Sequence, residues 1–164
     1  MKRLALILLV AILSLPVALA DKVTTADDLF KEFSSVRKAE SVNINSFLMW
    51  LAKLSMGNDP DAEVVKKISS VRVLDLESCS PEVKTRFANR AAQVTVNDME
   101  DLVNVNEDGN KVKILAQIKK EKIHKLLVMC YGQSDCCLVE INGKFDLQDL
   151  DDVVKSQMPR HNDR

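Results

Sequence analysis

Cys79, Cys130, Cys136 and Cys137 are the residues best equipped for chemistry in this chain of 164 residues. Only two histidines, His124 and His161, accompany them. A zinc site needs several nitrogen or sulfur ligands held together, and this supply is poor, so no metal and no cofactor is expected. His161 stands in a polar tail, and His124 falls near a hairpin end opposite Ile118, where a structural role is the simpler reading. Cys136-Cys137 is not the C-x-x-C of a thiol oxidoreductase. Cys79 precedes a helix start, and a helix N-terminus lowers a thiol pKa, but no histidine stands near it in sequence to act as a base. Ser80 and Pro81 read as the cap and first position of that helix. The acids Asp146, Asp149, Asp151 and Asp152 lack the alternation and central glycine of a calcium loop, and read as a helix start favoured by the helix dipole. No nucleophile elbow, phosphate loop or dinucleotide fingerprint occurs.

The elements that would position these groups follow from periodicity. Thr25-Ala26-Asp27-Asp28 opens a helix carrying Leu29, Phe30, Phe33 and Val36. Val42-Asn43-Ile44 reads as a short strand. Asn45 caps a second helix with Phe47, Leu48, Leu51 and Leu54, apolar nearly all round, so Trp50 reads as part of a core helix. Asp59-Pro60 opens a third, with Val64, Val65 and Ile68. Ser70 to Leu76 is a strand, and Ser80-Pro81 begins an amphipathic helix with Val83, Phe87, Ala91 and Val94 on one side.

The second half reads as a four-stranded meander. A turn at Asp108-Gly109 sets Val105 opposite Val112 and Val103 opposite Ile114. A turn near Lys120-Glu121 sets Ile114 opposite Val128, Ala116 opposite Leu126 and Leu115 opposite Leu127. A turn around Gln133-Ser134 sets Cys130 opposite Cys137, Val128 opposite Val139 and Leu126 opposite Ile141. A last helix follows Asn142-Gly143, capped by Asp146, with Phe145 stapled onto Leu150 and with Leu147, Val153 and Val154. The expected fold class is therefore α+β: a β-meander of about four strands, one or two more strands from the first half, and about five helices.

Side chains alternate across a strand, so these registers sort the meander into two faces. One holds Val103, Val105, Val112, Ile114, Ala116, Ile118, Leu126, Val128, Cys130, Cys137, Val139 and Ile141, and is expected to be the core. The other gathers Leu115, Leu127, Met129, Tyr131, Cys136 and Leu138, ringed by Lys113, Gln117, Lys125 and Glu140. Either a helix covers this second face, or it is an exposed apolar patch for a protein partner, with Leu115, Leu127, Met129, Tyr131 and Leu138 as candidate interface. Directly opposed strand residues have a spacing compatible with a disulfide, which makes Cys130 and Cys137 the candidate bridge. The competing reading leaves all four cysteines as small buried apolar residues.

The N-terminus speaks to compartment. Met1-Lys2-Arg3 is a positive start, Leu4 to Val17 is uncharged and apolar, and Ala18-Leu19-Ala20 ends in small residues before Asp21. That is the pattern of a secretory signal peptide over residues 1–20, and the apolar run is short for a membrane span. The expected organisation is this leader, one domain over residues 21–158 and a polar tail over 159–164. The formal net charge is −1, and the leader's Lys2 and Arg3 are not part of the mature domain. An acidic balance of this kind offers no attraction for nucleic acid or anionic lipid. An exported, periplasmic or secreted protein without stable membrane insertion is expected.

The order of elements resembles that of domain-of-unknown-function family 4252, a family of bacterial envelope proteins. The resemblance is carried by Asp28-Leu29-Phe30-Lys31-Glu32-Phe33, by the strand Val71 to Leu76, and by Val139-Glu140-Ile141-Asn142-Gly143-Lys144-Phe145 before a short helix. It spans nearly the whole mature chain. It implies a secreted protein or a lipoprotein, and no cysteine stands at the cleavage site to carry lipid. It supplies no catalytic residues.

Three functions remain at this stage. The leading one is a non-enzymatic domain that binds another protein of the envelope or itself. A small-ligand carrier with a pocket between sheet and helices is the alternative. An enzyme resting on Cys79 comes third.

Overall fold

The computed structural model describes residues 24–55, 62–107, 109–132, 135–146 and 148–149. Helix α1 (Ala26–Phe33) begins where the sequence places it. The Thr25 hydroxyl accepts from the Asp28 amide at 3.2 Å, and the Asp28 carboxylate accepts from the Thr25 amide at 3.0 Å, so two otherwise unpaired amides are satisfied reciprocally. Strand β1 (Glu40–Ile44), α2 (Ser46–Ser55), α3 (Ala62–Lys67), β2 (Ile68–Asp75) and α4 (Pro81–Ala92) follow. The meander is β3 (Glu100–Glu107), β4 (Asn110–Lys119), β5 (Lys122–Tyr131) and β6 (Cys136–Phe145). The expected signal peptide, Asp59-Pro60, Asp108, Gln133-Ser134, Leu147 and everything from Leu150 onward lie outside the described residues.

All six strands join one antiparallel sheet in the order β1-β2-β6-β5-β4-β3. The architecture corrects the expected α+β packing with about five helices. Four short helices occur among the described residues, and the fold is mostly β. The four helices expected before the meander are all present but short, with Ile68 falling in β2 rather than α3, and most of the expected fifth lies outside the described residues, so the six paired strands make up more of the described chain than the helices do. The chain leaves β2 near one edge, crosses through α4 and re-enters at the opposite edge as β3, so α4 must lie across one face.

The meander registers are as expected: Val105 opposes Val112, Ile114 opposes Val128, Leu126 opposes Ile141, and Cys130 opposes Cys137. Lys120 and Glu121 hold φ of 50° and 62°, the positive values that a two-residue turn needs to match the strands' twist. One register differs. Ile118 pairs with Ile123 and not with His124, because a shift intervenes between Gln117 and Ile118.

The choice of core face is the main correction. Helices α1 and α4 pack on the face bearing Leu115, Leu127, Met129, Tyr131, Cys136 and Leu138, together with Leu74 and Leu76. The helices contribute Leu29, Phe30, Phe33, Phe87 and Ala91. Phe33 and Phe87 meet edge to face at 5.3 Å between ring centres, a favoured aromatic geometry. Each Leu or Phe fully removed from water here contributes roughly 1.5–3 kcal/mol. The face expected to be the core forms a smaller cluster of Ala116, Ile123, Leu126 and Phe145, with Ile114, Ile118, Val128 and Ile141 partly buried around it. Val103 and Val105 on the β3 edge are exposed. The physical reason is that both faces are apolar, so alternation separates two sets without ranking them. The leucine, methionine and tyrosine set, with longer side chains, fills the space under helices; the β-branched set lies flatter.

Asn142-Gly143 also reads differently in three dimensions. It does not end the strand: β6 runs on to Phe145. A Cβ on Gly143 would lie 2.6 Å from the Lys67 carbonyl oxygen, beside the register shift between Ile68 and Ser70. Gly143→Ala is therefore expected to destabilise by roughly 1–3 kcal/mol, the cost of forcing backbone apart, measured as a lower denaturation midpoint.

Candidate functional site

Of the residues expected to form an interface, Leu138 and Met129 are wholly buried, and Leu127, Leu115 and Tyr131 are nearly so. They belong to the core beneath α1 and α4, and the reading in which a helix layer covers this face is the one realised. Their proposed role as an exposed patch is thereby corrected.

At the end of this covered face, Arg72 of β2 and Glu140 of β6 are direct register partners. Glu140 is buried, and its carboxylate accepts four hydrogen bonds. Arg72 donates from Nε and Nη2 to Oε1 at 3.2 and 2.9 Å, Asn142 donates to Oε1 at 3.1 Å, and Lys125 donates to Oε2 at 3.2 Å. The Arg72 guanidinium also bonds Asp27 of α1 and lies 4.3 Å from the centre of the Phe30 ring. Burial alone would push the Glu140 pKa up; the Arg72 and Asn142 hydrogen bonds and the Lys125 and Arg72 charges outweigh it and hold it below the ordinary carboxylate value. Since its hydrogen-bonding groups are mutually satisfied, this network ties α1 to the sheet and leaves little to offer a ligand.

Cys79 closes a cleft of about 530 Å³ lined by Val36, Arg37, Lys38, Ser80, Pro81 and Val83. Its thiol lies 3.6 Å from the Arg37 carbonyl oxygen, and burial pushes its pKa up. That is the reverse of what a thiol nucleophile requires. Ser80 occupies the N-cap position without a side-chain bond to the helix backbone, and bonds the Glu82 carboxylate instead.

The surface feature that sequence reasoning missed is α2. Asn45 caps it, its side-chain oxygen accepting from the Leu48 amide at 3.1 Å and its carbonyl accepting from the Met49 amide at 3.0 Å. The helix packs on β1 and β2, with Met49 buried. Phe47, Leu48 and Trp50 are 65%, 45% and 55% exposed, which corrects the expectation that Trp50 belongs to a core helix. The Phe47 and Trp50 rings stack at 6.0 Å with 29° between planes. Val42, on the strand just before, is also exposed. The signal was present in the sequence: Phe47-Leu48-Met49-Trp50-Leu51 is a run of consecutive apolar residues, and a helix resting on a sheet can turn only one stripe inward.

With this geometry in view, comparison with known proteins adds a family. The model of the family described as "Domain of unknown function (DUF4252)" matches residues 33–153. The chain belongs to this family. The matched DUF4252 segment runs from the last residue of α1 through all six strands, so it takes in α2, Arg72, Lys125, Glu140 and Asn142 of the ion network, and both cysteine-bearing strands. No curated protein and no solved structure matches the chain. No described helix is long and apolar enough to cross a membrane. Membership in DUF4252 therefore carries no catalytic assignment to any of these residues.

Proposed function

We propose that this is an exported, non-enzymatic binding domain of the cell envelope whose partner is another protein, engaged through α2. The observation that supports the reading is the exposed Phe47, Leu48 and Trp50 cluster. Single exposed apolar residues are ordinary, but two stacked aromatics beside a leucine within one helical turn remove little area from water unless something covers them. Tyr, Trp and Phe are also the residues enriched where partners bury a surface. Export rests on the residue 1–20 pattern of charged start, apolar run and A-x-A end. The ligand-carrier alternative has less support, because Leu29, Phe33, Phe87, Leu127 and Met129 fill the space between helices and sheet.

The test is a photo-crosslinking residue at Leu48 in the tagged full chain, expressed in its native envelope, with a Phe47→Ser, Trp50→Ser companion. A single crosslinked protein, lost in the companion while its unfolding free energy stays within about 0.5 kcal/mol of the parent as expected for surface changes, is the expected result. Unchanged crosslinking in the companion would overturn the assignment of α2. A companion that unfolds would show these rings to be structural.

A further inference from the structure

Cys130 on β5 and Cys137 on β6 are direct register partners, so their side chains leave the sheet on the same face. That face is opposite the one covered by α1 and α4. Both residues are partly exposed, and all four cysteines are free thiols. The two thiols are hydrogen-bonded to each other. Cys136 and Cys79 differ from them in position: both are buried in the helix-covered core. Four chemically identical groups are thus divided into an accessible, mutually bonded pair and two protected ones.

We propose that Cys130 and Cys137 form a reversible thiol–disulfide site whose co-reactant is a disulfide, and that Cys79 and Cys136 take no part. The proposal is independent of the α2 surface. The Cys130 thiolate attacks one sulfur of the incoming disulfide R–S–S–R, forming a mixed disulfide and expelling one RS⁻. Cys137 then loses its proton to water and attacks the Cys130 sulfur, expelling the second RS⁻. The protein loses two protons and two electrons; the co-reactant is reduced to two thiols. Directly opposed strand positions have a Cα spacing within the range that a disulfide spans, so closure needs no strand movement.

The order of attack follows from the pair's electrostatics. Cys137 donates its S–H to the Cys130 sulfur and so stabilises charge there, bringing the Cys130 thiol down to about 7 against the opposing effects of burial and Asp135. The same bond, with burial, pushes Cys137 up. Asp75, the register partner of Cys137 on β2, also raises it. Burial pushes the Cys136 thiol up to about 12, which keeps it protonated and unreactive. Reactivity follows the thiolate fraction.

The experiment exposes reduced, folded full-length protein to oxidised glutathione at several pH values, quenches by alkylation and maps the peptides. The expected result is loss of two of the four thiols, recovered as one Cys130–Cys137 linked peptide, with a rate that rises through pH about 7. Cys79 and Cys136 should alkylate only after denaturation. In Cys137→Ser, glutathione should remain as a mixed disulfide on Cys130, whereas Cys130→Ser should leave Cys137 largely unmodified. Four thiols still free after treatment, or a bridge that includes Cys79 or Cys136, would overturn the proposal. That mapping uses the native chain, so it decides the matter even if a serine variant fails to fold.

Discussion

Leu127→Asp and Met129→Asp together abolish the cooperative unfolding transition, and either one alone destabilises the fold by several kcal/mol. Both side chains lie in the main core, at 1% and 0% exposure, among Leu115, Leu138 and the residues of α1 and α4. An ionised carboxylate placed there has no cationic partner in that cluster, and transfer of such a charge out of water costs several kcal/mol even after relaxation. The whole stability of a domain is about 5–15 kcal/mol, so a pair of such changes exceeds what the fold can absorb. Leu127→Ala is the graded companion: it retains the fold and loses about 2–5 kcal/mol, the usual cost of a buried leucine truncation with its residual cavity. Chemical denaturation followed by circular dichroism measures both. A Leu127→Asp protein with a parental midpoint would mean that this face is open to water after all, and the interface reading of these residues would return.

Arg72→Leu costs about 3 kcal/mol, the low end for breaking a buried ion pair because Arg72 is itself a quarter exposed. It leaves Glu140 buried with Lys125 and Asn142 only, and also cuts the link to Asp27 on α1. Glu140→Gln keeps the shape and most donors, and costs less. The pH dependence separates a charge effect from lost packing. In the parent, the folded Glu140 pKa lies below its ordinary value of 4.5. The unfolded chain therefore binds the proton more readily, and Glu140 contributes stability that is complete above about pH 4.5 and disappears as the pH falls through the lower folded value. With Arg72 gone, two of the causes that lower the value are lost, so the folded pKa moves up and the pH-dependent contribution of Glu140 shrinks. Denaturation midpoints measured from neutral pH down to about pH 3 should show the parent losing stability more steeply than Arg72→Leu through the carboxylate range. Parallel profiles would mean that Glu140 makes no ionic contribution.

Much of this architecture is written in short-range signals. Thr25-x-x-Asp28 announces α1 because a capping box is a local exchange of hydrogen bonds. The three meander registers follow from turn positions, since each turn commits the residues on either side of it pair by pair. Even the Cys130–Cys137 opposition comes from that counting alone. The register shift beside Ile118 escapes turn counting, which assumes an unbroken ladder; its mark in the sequence is that Ile123, not His124, is the apolar residue there. The exposure of α2 was half visible: the consecutive apolar run from Phe47 to Leu51 shows that something must face outward, but not which residues.

By itself, then, the sequence determined the starts of α1, α2 and α4, the pairing of β3 to β6, and the division of their side chains between two faces, all set by interactions a few residues apart. Tertiary structure alone decided that β6 pairs with β2, that α4 carries the chain across to the far edge, and that Leu127, Met129 and Leu138 lie beneath helices while Cys130 and Cys137 do not. Strand alternation is symmetric between the two faces of a sheet. Only the docking of α1 and α4, driven by Phe30, Phe33 and Phe87 finding the longer side chains on one of them, breaks that symmetry.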